Sequence, residues 1–119
     1  MNPNRWQPLI EGMLEAVWIV DPIELRITAA NRAADALLGV APGALVGRAV
    51  IDLVATPEDL FFWEDVAAGL SDHILSETLL RREDGGTVQV ERRVSRVTLA
   101  EGMTAYLVGI RDQSEQRRV

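Results

Sequence analysis

Apolar residues recur at helical spacing in the first part of the chain, with Glu11 and Glu15 on the other side of the stripe. The apolar positions of the stripe are Trp6, Leu9, Ile10, Met13, Leu14 and Val17. Steps of three and four residues are typical of an amphipathic helix, because they place the apolar side chains on one face. We therefore predict an N-terminal amphipathic helix within residues 1–17.

Two short strands joined by a turn are predicted next. Residues 17–20 are β-branched or aromatic, and a second short run, 25–29 with Ile27 and Thr28, follows the Asp21-Pro22 pair. Runs of this kind favour strands, whereas Pro22 cannot donate to a ladder and belongs in the turn.

A helix with signals at both ends follows these strands. Asn31 precedes the run 32–38, and Gly39 comes directly after it. An asparagine amide can accept hydrogen bonds from free N–H groups at a helix start, and glycine is common just past a helix end. We predict a helix at 32–38, capped by Asn31 and ended by Gly39.

A second helix start follows a short apolar element at residues 49–54. Thr56 supplies a hydroxyl cap and Pro57 fits the first helical position, with acidic residues in the turn that follows. We expect this helix to run to about Leu70.

The remaining residues alternate between apolar and polar with a period of two. This alternation predicts strands at 74–82, 87–99 and 103–111, and the Asp84-Gly85 pair between the first two is typical of a hairpin turn. The predicted fold is therefore α+β, with an antiparallel sheet that carries its short helices on one face.

Side-chain parity changes within the longest predicted strand. Val90 and Val94 share one parity, whereas Val97 has the other. Because one extra residue in a strand reverses the faces, we predict a β-bulge near Ser95 and Arg96.

Arg92 shares the parity of these valines and is therefore expected on the buried side of the sheet. An unpaired buried guanidinium is costly, so Arg92 needs a partner. Its planar fork matches a carboxylate, which can belong to a small ligand or to the chain itself, unless the side chain reaches solvent at the sheet edge. The internal candidates are Asp52, Asp59 and Glu64.

Composition excludes several classes of function. The chain has 119 residues, of which 48% are hydrophobic and 25% charged, as in one globular domain. Eighteen acidic against twelve basic residues give a net charge of −6, which disfavours binding to nucleic acid or anionic lipid. Because no apolar run approaches the roughly 20 residues of a membrane span and no signal-peptide core occurs, we expect a cytoplasmic location without membrane contact.

Residues that carry catalysis or bind metals are scarce. The chain contains no cysteine and a single histidine, His73, and it has no Ser-His-acid arrangement, phosphate-binding glycine loop or zinc signature. We therefore expect neither enzymatic activity nor a metal site in this domain.

Several motifs, taken together, resemble the PAS domain family. They are residues 27–34, Leu37-Leu38-Gly39, Leu45-Val46-Gly47-Arg48, Pro57-Glu58-Asp59, the Asp84-Gly85 hairpin and residues 109–116. The resemblance covers about residues 9–117, with the motifs in the family's order and spacing. Ser114 stands where the family usually has threonine and Gln116 where arginine is common, and both keep a polar side chain.

The resemblance implies a five-stranded antiparallel sheet flanked by helices, used as a sensory or dimerisation module in bacterial signalling proteins such as two-component systems. On this basis we assign residues 1–17 to the amphipathic helix, 18–112 to a PAS core, and 113–119 to the start of a linker. The linker would lead to an output domain such as a histidine kinase, a cyclase or a transcription activator.

Three residues are predicted to act in signalling. The resemblance assigns Asp112 and Ser114 to the junction between the last strand and an output helix. A simple helix cap without a signalling role is the alternative for both. Asn31 is the third signalling candidate.

The cofactors familiar from PAS domains can be tested against residue type. A flavin that forms a cysteine adduct and a chromophore held by a thioester are excluded, because both need a cysteine. Haem is disfavoured, since the predicted helix 57–70 lacks histidine and His73 lies past its end. Trp18, Phe62 and Trp63 are candidates, with Arg92, to line a pocket for another flat ligand, although this aromatic spacing is also typical of a core.

Two functional interpretations follow. The first is a PAS sensor domain that binds a small ligand and regulates the output domain. The second is a ligand-free interaction module that aligns two subunits. In either case a homodimer is expected, because a short helix with an apolar stripe needs cover from its own sheet or from a partner.

Overall fold

The computed structural model describes residues 6–69, 73–98 and 102–113, without the side chains of residues 73 and 74. The helices are α1 (Gln7–Glu11), α2 (Arg32–Leu38) and α3 (Pro57–Ala67), with a 3-10 helix at Val50–Leu53. The strands are β1 (Ala16–Val20), β2 (Ile27–Ala30), β3 (His73–Arg81), β4 (Thr87–Thr98) and β5 (Thr104–Asp112). All five strands begin and end within two residues of the predicted bounds.

The strands form one antiparallel sheet in the order β2-β1-β5-β4-β3, which confirms the predicted five-stranded antiparallel sheet. The first and last strands are neighbours at its centre, where Ala16 pairs with Ile110. The β2 edge is covered by the following loop: the Ile27 N–H donates to the Arg48 carbonyl, and the Gly47 N–H donates to the Ile27 carbonyl.

The inner face of the sheet carries the main hydrophobic core. Trp18, Val90 and Val108 point from three strands toward α2, the 3-10 helix and α3, which contribute Leu38 and Trp63 among others. Alternate side chains of a strand face opposite sides of the sheet, so the core residues of each strand lie at every second position.

α3 begins as predicted. The Thr56 hydroxyl accepts a hydrogen bond from the Asp59 N–H at 3.3 Å, and Pro57 occupies the first turn. The helix ends at Ala67, earlier than expected, because the chain reaches Gly69 with a left-handed φ of 75°. Leu70 lies outside the described residues.

The extent of the N-terminal helix was wrongly predicted. α1 spans five residues, and Val17 lies in β1, where it pairs with Gly109. Val17 fits the helical stripe by spacing, yet it belongs to a β-branched and aromatic run that pairs better within a sheet. Leu14, another member of the stripe, is fully exposed.

The predicted β-bulge at Ser95 and Arg96 is also wrong. β4 pairs with β5 in constant register from Val90 to Thr98. The apolar parity changes for another reason: Val97 faces the outer side of the sheet, where α1 covers a second hydrophobic cluster. A strand that is buried on opposite faces at its two ends needs no extra residue.

Candidate functional site

Arg92 is buried and forms an ion pair, as expected from its place among the inward-facing residues of β4. It lies on the inner face of β4 and is 1% exposed. Its Nη2 donates to Asp59 Oδ1 at 2.6 Å and its Nη1 donates to Asp59 Oδ2 at 3.1 Å, while the Ser76 hydroxyl accepts a further bond at 3.3 Å. This bidentate pair is the internal ion pair considered among the alternatives, and it joins the first turn of α3 to β4.

Aromatic rings enclose this ion pair. The guanidinium carbon of Arg92 lies 3.8 Å from the centroid of the Phe62 ring and 5.4 Å from that of Trp63. The two rings meet edge to face at 88°, with their centroids 5.4 Å apart. A cation over aromatic faces is stabilised by the ring quadrupoles, most strongly where water is excluded. The structure therefore brings three of the four predicted pocket residues together.

Trp18, the fourth candidate, lies on the same face of the sheet but two strands away on β1. Within the described part of the chain, neither the Trp18 Nε1 nor the Arg92 Nε has a hydrogen-bond acceptor, although both atoms are buried. Buried polar groups are almost always satisfied by protein, water or ligand. These two donors mark positions in the interior where an acceptor atom would be stabilised.

α3 is also fixed at its other end. The Tyr106 hydroxyl on β5 donates to the Val66 carbonyl in the last turn at 2.9 Å. Arg92 on β4 and Tyr106 on β5 therefore tie the two ends of α3 to adjacent strands. Tyr106 was not identified from the sequence, although a tyrosine within an apolar strand usually finds a partner for its hydroxyl.

Asn31 connects four segments through its side-chain amide. Its Oδ1 accepts from the N–H groups of Ala34 and Val17 at 2.9 and 3.0 Å. Its Nδ2 donates to the carbonyls of Ile10 and Glu15 at 2.9 and 3.0 Å. The Ala34 bond confirms the predicted helix cap, and the other three attach α1 and the start of β1 to α2. A fully bonded amide of this kind fixes local geometry strongly, because each lost bond would leave a buried group unpaired.

Two further polar side chains dock α1 beside Asn31. Gln7 Nε2 donates to the Ala30 carbonyl at 2.7 Å, and Glu11 Oε1 accepts from the Arg32 N–H at 2.8 Å. We call Gln7, Glu11 and Asn31 the α1 clamp. A five-residue helix is too short to be stable alone, so its position depends on this clamp and on the packing of Ile10.

The end of β5 is the predicted signalling junction. Asp112 is its last residue and pairs with Val90, whereas Ser114 lies outside the described residues. Gln113 was not singled out from the sequence, yet it is 8% exposed, and its N–H donates to the Gln89 carbonyl at 2.9 Å. Its Nε2 lies 3.5 Å from Glu77 Oε1, so the chain leaves the sheet attached to β4 and β3.

Asp35 on α2 is a buried carboxyl that the sequence did not reveal. Burial raises its pKa above the usual 3.8, the Gly43 N–H lowers it by donating to Oδ2 at 3.3 Å, and the Glu11 carboxylate raises it. Its Oδ1 has no hydrogen-bond partner among the described residues. Asp35 therefore favours the protonated form more than an exposed aspartate does.

The outer face of the sheet is covered at one end only. Beyond α1, exposed apolar and basic side chains from the α1–β1 loop, β3, β4 and β5 form an open surface. We call it the outer-sheet surface, and its residues are Met13, Leu14, Leu75, Arg93 and Arg111. Glu15 lies across it, with Oε1 3.4 Å from Arg93 Nη2.

The described ranges contain neither a metal-ligand group nor a membrane-spanning helix. No group of three histidine, aspartate or glutamate side chains there could hold a metal ion. None of the helices described is long and apolar enough to cross a membrane.

Comparisons with known proteins agree with this architecture. A family model described as PAS fold matches residues 4–113. The PAS domain of an HTR-like protein from Haloarcula marismortui is 28% identical, with a TM-score of 0.72 over 92% of this chain and 89% of that one. A PAS domain from a two-component sensor histidine kinase is 18% identical, with a TM-score of 0.71 over 88% and 90% of the two chains.

A third similar structure is the PAS domain of nitrogen regulation protein NR(II) from Vibrio parahaemolyticus. It is 22% identical to this chain, with a TM-score of 0.67 over 88% of this chain and 94% of that one. A comparison with curated proteins finds no match.

Proposed function

This chain belongs to the PAS family, a family of sensory modules, and on that premise we propose that it regulates an output domain in the same polypeptide. Similar PAS domains come from a two-component sensor histidine kinase and from a nitrogen regulation protein. β5 supports the same role here: it lies at the centre of the sheet and leads directly into residues 113–119. The domain would link its own conformational state to that of the output domain rather than catalyse a reaction.

The proposed working form is a homodimer that forms through the outer-sheet surface. The observation that carries this proposal is the incomplete cover of that face: Leu14 is fully exposed and Leu75 is 61% exposed beside Arg93. Apolar side chains grouped on an open sheet favour association with a second copy, because burial removes them from water. An isologous contact would place the same patch of both subunits at the interface.

Sedimentation velocity across a concentration series tests this proposal. We expect the parent chain to dimerise and the double variant Leu14→Asp/Leu75→Glu to remain monomeric, since four carboxylates would be buried in the dimer. The control is Phe61→Asp, which places a charge at an apolar position of α3 about as exposed as Leu75, on the other side of the sheet. A monomeric parent, or a double variant that dimerises like the parent, would refute the dimer.

A small ligand between the sheet and α3 is the second candidate function. It is favoured by two buried donors that have no acceptor among the described residues, Trp18 Nε1 and Arg92 Nε, the second of which belongs to a guanidinium stacked on Phe62. The competing observation is the Arg92–Asp59 pair, which already supplies the carboxylate that a ligand would bring and so favours the ligand-free module.

Native mass spectrometry of freshly purified protein distinguishes the two. A retained small molecule that is lost from Trp18→Phe, a variant that keeps an aromatic ring and removes the N–H donor, would support the sensor. A bare mass for the parent, together with unfolding that no added carboxylate shifts, would support the ligand-free module.

A further inference from the structure

A separate pocket of about 440 Å³ lies on the outer side of the sheet. Its floor is formed by Ile19 of β1 and Ala105 of β5, both buried, and its walls include Trp6, Val46 and Met103. Because Ile19 and Ala105 belong to the outer hydrophobic cluster, the sheet separates this pocket from the Arg92–Asp59 pair. We call it the α1 pocket, since Trp6 is the N-cap residue of α1.

The size and lining of the α1 pocket are those of a small-molecule site. Sites for small ligands commonly enclose about 300–1000 Å³ and are lined mainly by apolar and aromatic side chains. The lining residues come from separate segments, including the β1–β2 turn at Pro22, the loop at Val46 and Gly47, and Met103 before β5. A pocket built from several segments suits a compact molecule better than a flat protein surface.

The charged residues at the rim already have partners. Arg26 Nη1 donates to the Gly47 carbonyl at 2.9 Å, and its Nε lies 3.7 Å from Glu24 Oε2. The Asp21 carboxylate accepts from the N–H groups of Ile23 and Glu24 at 3.3 and 3.0 Å. An ionic ligand would therefore have to compete with existing bonds, whereas a neutral one would not.

We infer that the α1 pocket binds a small, neutral, mainly apolar molecule. Such a ligand would contact Trp6 of α1 together with Ile19 and Ala105 of the two central strands. It would thereby stabilise the docked position of α1. Its binding would also act on the sheet from the face opposite α3. This site does not rest on the proposed dimer, because none of its lining residues belongs to the outer-sheet surface.

Titration of the full chain with N-phenyl-1-naphthylamine, a neutral fluorescent probe, tests the inference. We expect saturable binding at one site, with about tenfold weaker affinity for Met103→Glu, because that variant places a charge on an apolar wall. Val46→Asp, at another partly exposed wall position, is expected to act in the same direction. Phe61→Asp is the control: it introduces a negative charge at an exposed apolar position outside both the pocket and the outer-sheet surface, and should bind like the parent.

Backbone amide shifts in NMR spectra locate the bound probe. Changes centred on Ile19 and Ala105 would support the α1 pocket, whereas changes centred on Trp63 and Val66 would overturn it in favour of the interior. The inference also fails if binding does not saturate, or if Met103→Glu and Val46→Asp, folded by their thermal transitions, bind as tightly as the parent. Sedimentation of the double variant Leu14→Asp/Leu75→Glu reports on the dimer independently.

Discussion

Arg92 of β4 and Asp59 of α3 form a bidentate ion pair between residues 33 positions apart in sequence, and each side chain is 1% exposed. The pair fixes the first turn of α3 to β4, while the Tyr106 hydroxyl holds the last turn through the Val66 carbonyl. The position of α3 therefore depends on two adjacent strands, one of which leads to the end of the domain.

Removing one partner of this ion pair should be strongly destabilising. Asp59→Ala leaves the Arg92 guanidinium buried without its counter-charge, and we expect a loss of about 3–5 kcal/mol in the free energy of unfolding. Urea denaturation at neutral pH measures this loss. A loss below about 1 kcal/mol would mean that Arg92 finds solvent without Asp59.

Replacing both partners is the matched control for that variant. In Asp59→Leu/Arg92→Met the charges are gone and the volume is largely kept, so we expect most of the stability to return. If the double variant is as unstable as Asp59→Ala, the ion pair contributes through specific geometry rather than through mutual neutralisation.

Asn31→Asp should weaken the docking of α1 selectively. The new carboxylate can still accept from the Val17 and Ala34 N–H groups, but it cannot donate to the Ile10 and Glu15 carbonyls. We expect a loss of about 2 kcal/mol, with the largest increase of amide hydrogen exchange in α1. Uniform exchange throughout the domain would contradict a local role for the amide donors.

Asp35→Asn should stabilise the domain at neutral pH. The folded-state pKa of Asp35 is raised, so the native state holds its proton more firmly than the unfolded chain does. The contribution of Asp35 to folding stability is therefore fully present below its unfolded-state pKa of 3.8. This contribution is lost as the pH rises through the folded-state pKa. Asparagine keeps an acceptor for the Gly43 N–H and never ionises.

Thermal unfolding as a function of pH measures this effect. The Tm of Asp35→Asn should exceed that of the parent at pH 7, and the difference should shrink as the pH falls toward 3.8. A difference that does not change with pH would assign the gain to packing rather than to ionisation.

Thr56→Ala should shorten or loosen the start of α3, because the cap on the Asp59 N–H is lost. We expect a loss of about 1 kcal/mol. Thr56→Ser, which keeps the hydroxyl, should lose much less, and urea unfolding of the pair isolates the contribution of the cap. Equal losses would assign the effect to the threonine methyl group.

Local signals in the sequence predicted the fold well where one segment carried the information. The cap at Thr56, the cap at Asn31 and the hairpin at Asp84-Gly85 depend on residues close to one another. The parity of Arg92 predicted its burial and its need for a partner. The choice of Asp59 depends on where α3 crosses the sheet, which no local pattern determines.

The predictions were wrong where both faces of a strand are buried, one against the main core and the other against α1. The parity of Val97 led to a predicted bulge near Ser95 and Arg96, because the sequence does not show that α1 covers the outer face of the sheet. For the same reason, the donors of the Asn31 amide had no predictable acceptors: the Ile10 and Glu15 carbonyls reach it only after α1 has docked.

The pairing of Ala16 with Ile110 means that the polypeptide enters and departs from the sheet side by side. Opposed α-carbons of antiparallel strands lie about 4.5–5.5 Å apart. A twist or displacement of the incoming backbone would therefore act directly on the outgoing one across a single ladder of hydrogen bonds. A signal that passes along a longer polypeptide in this way would cross from β1 to β5 without passing through the hydrophobic core. The packing of the core would then set how easily the two strands move together.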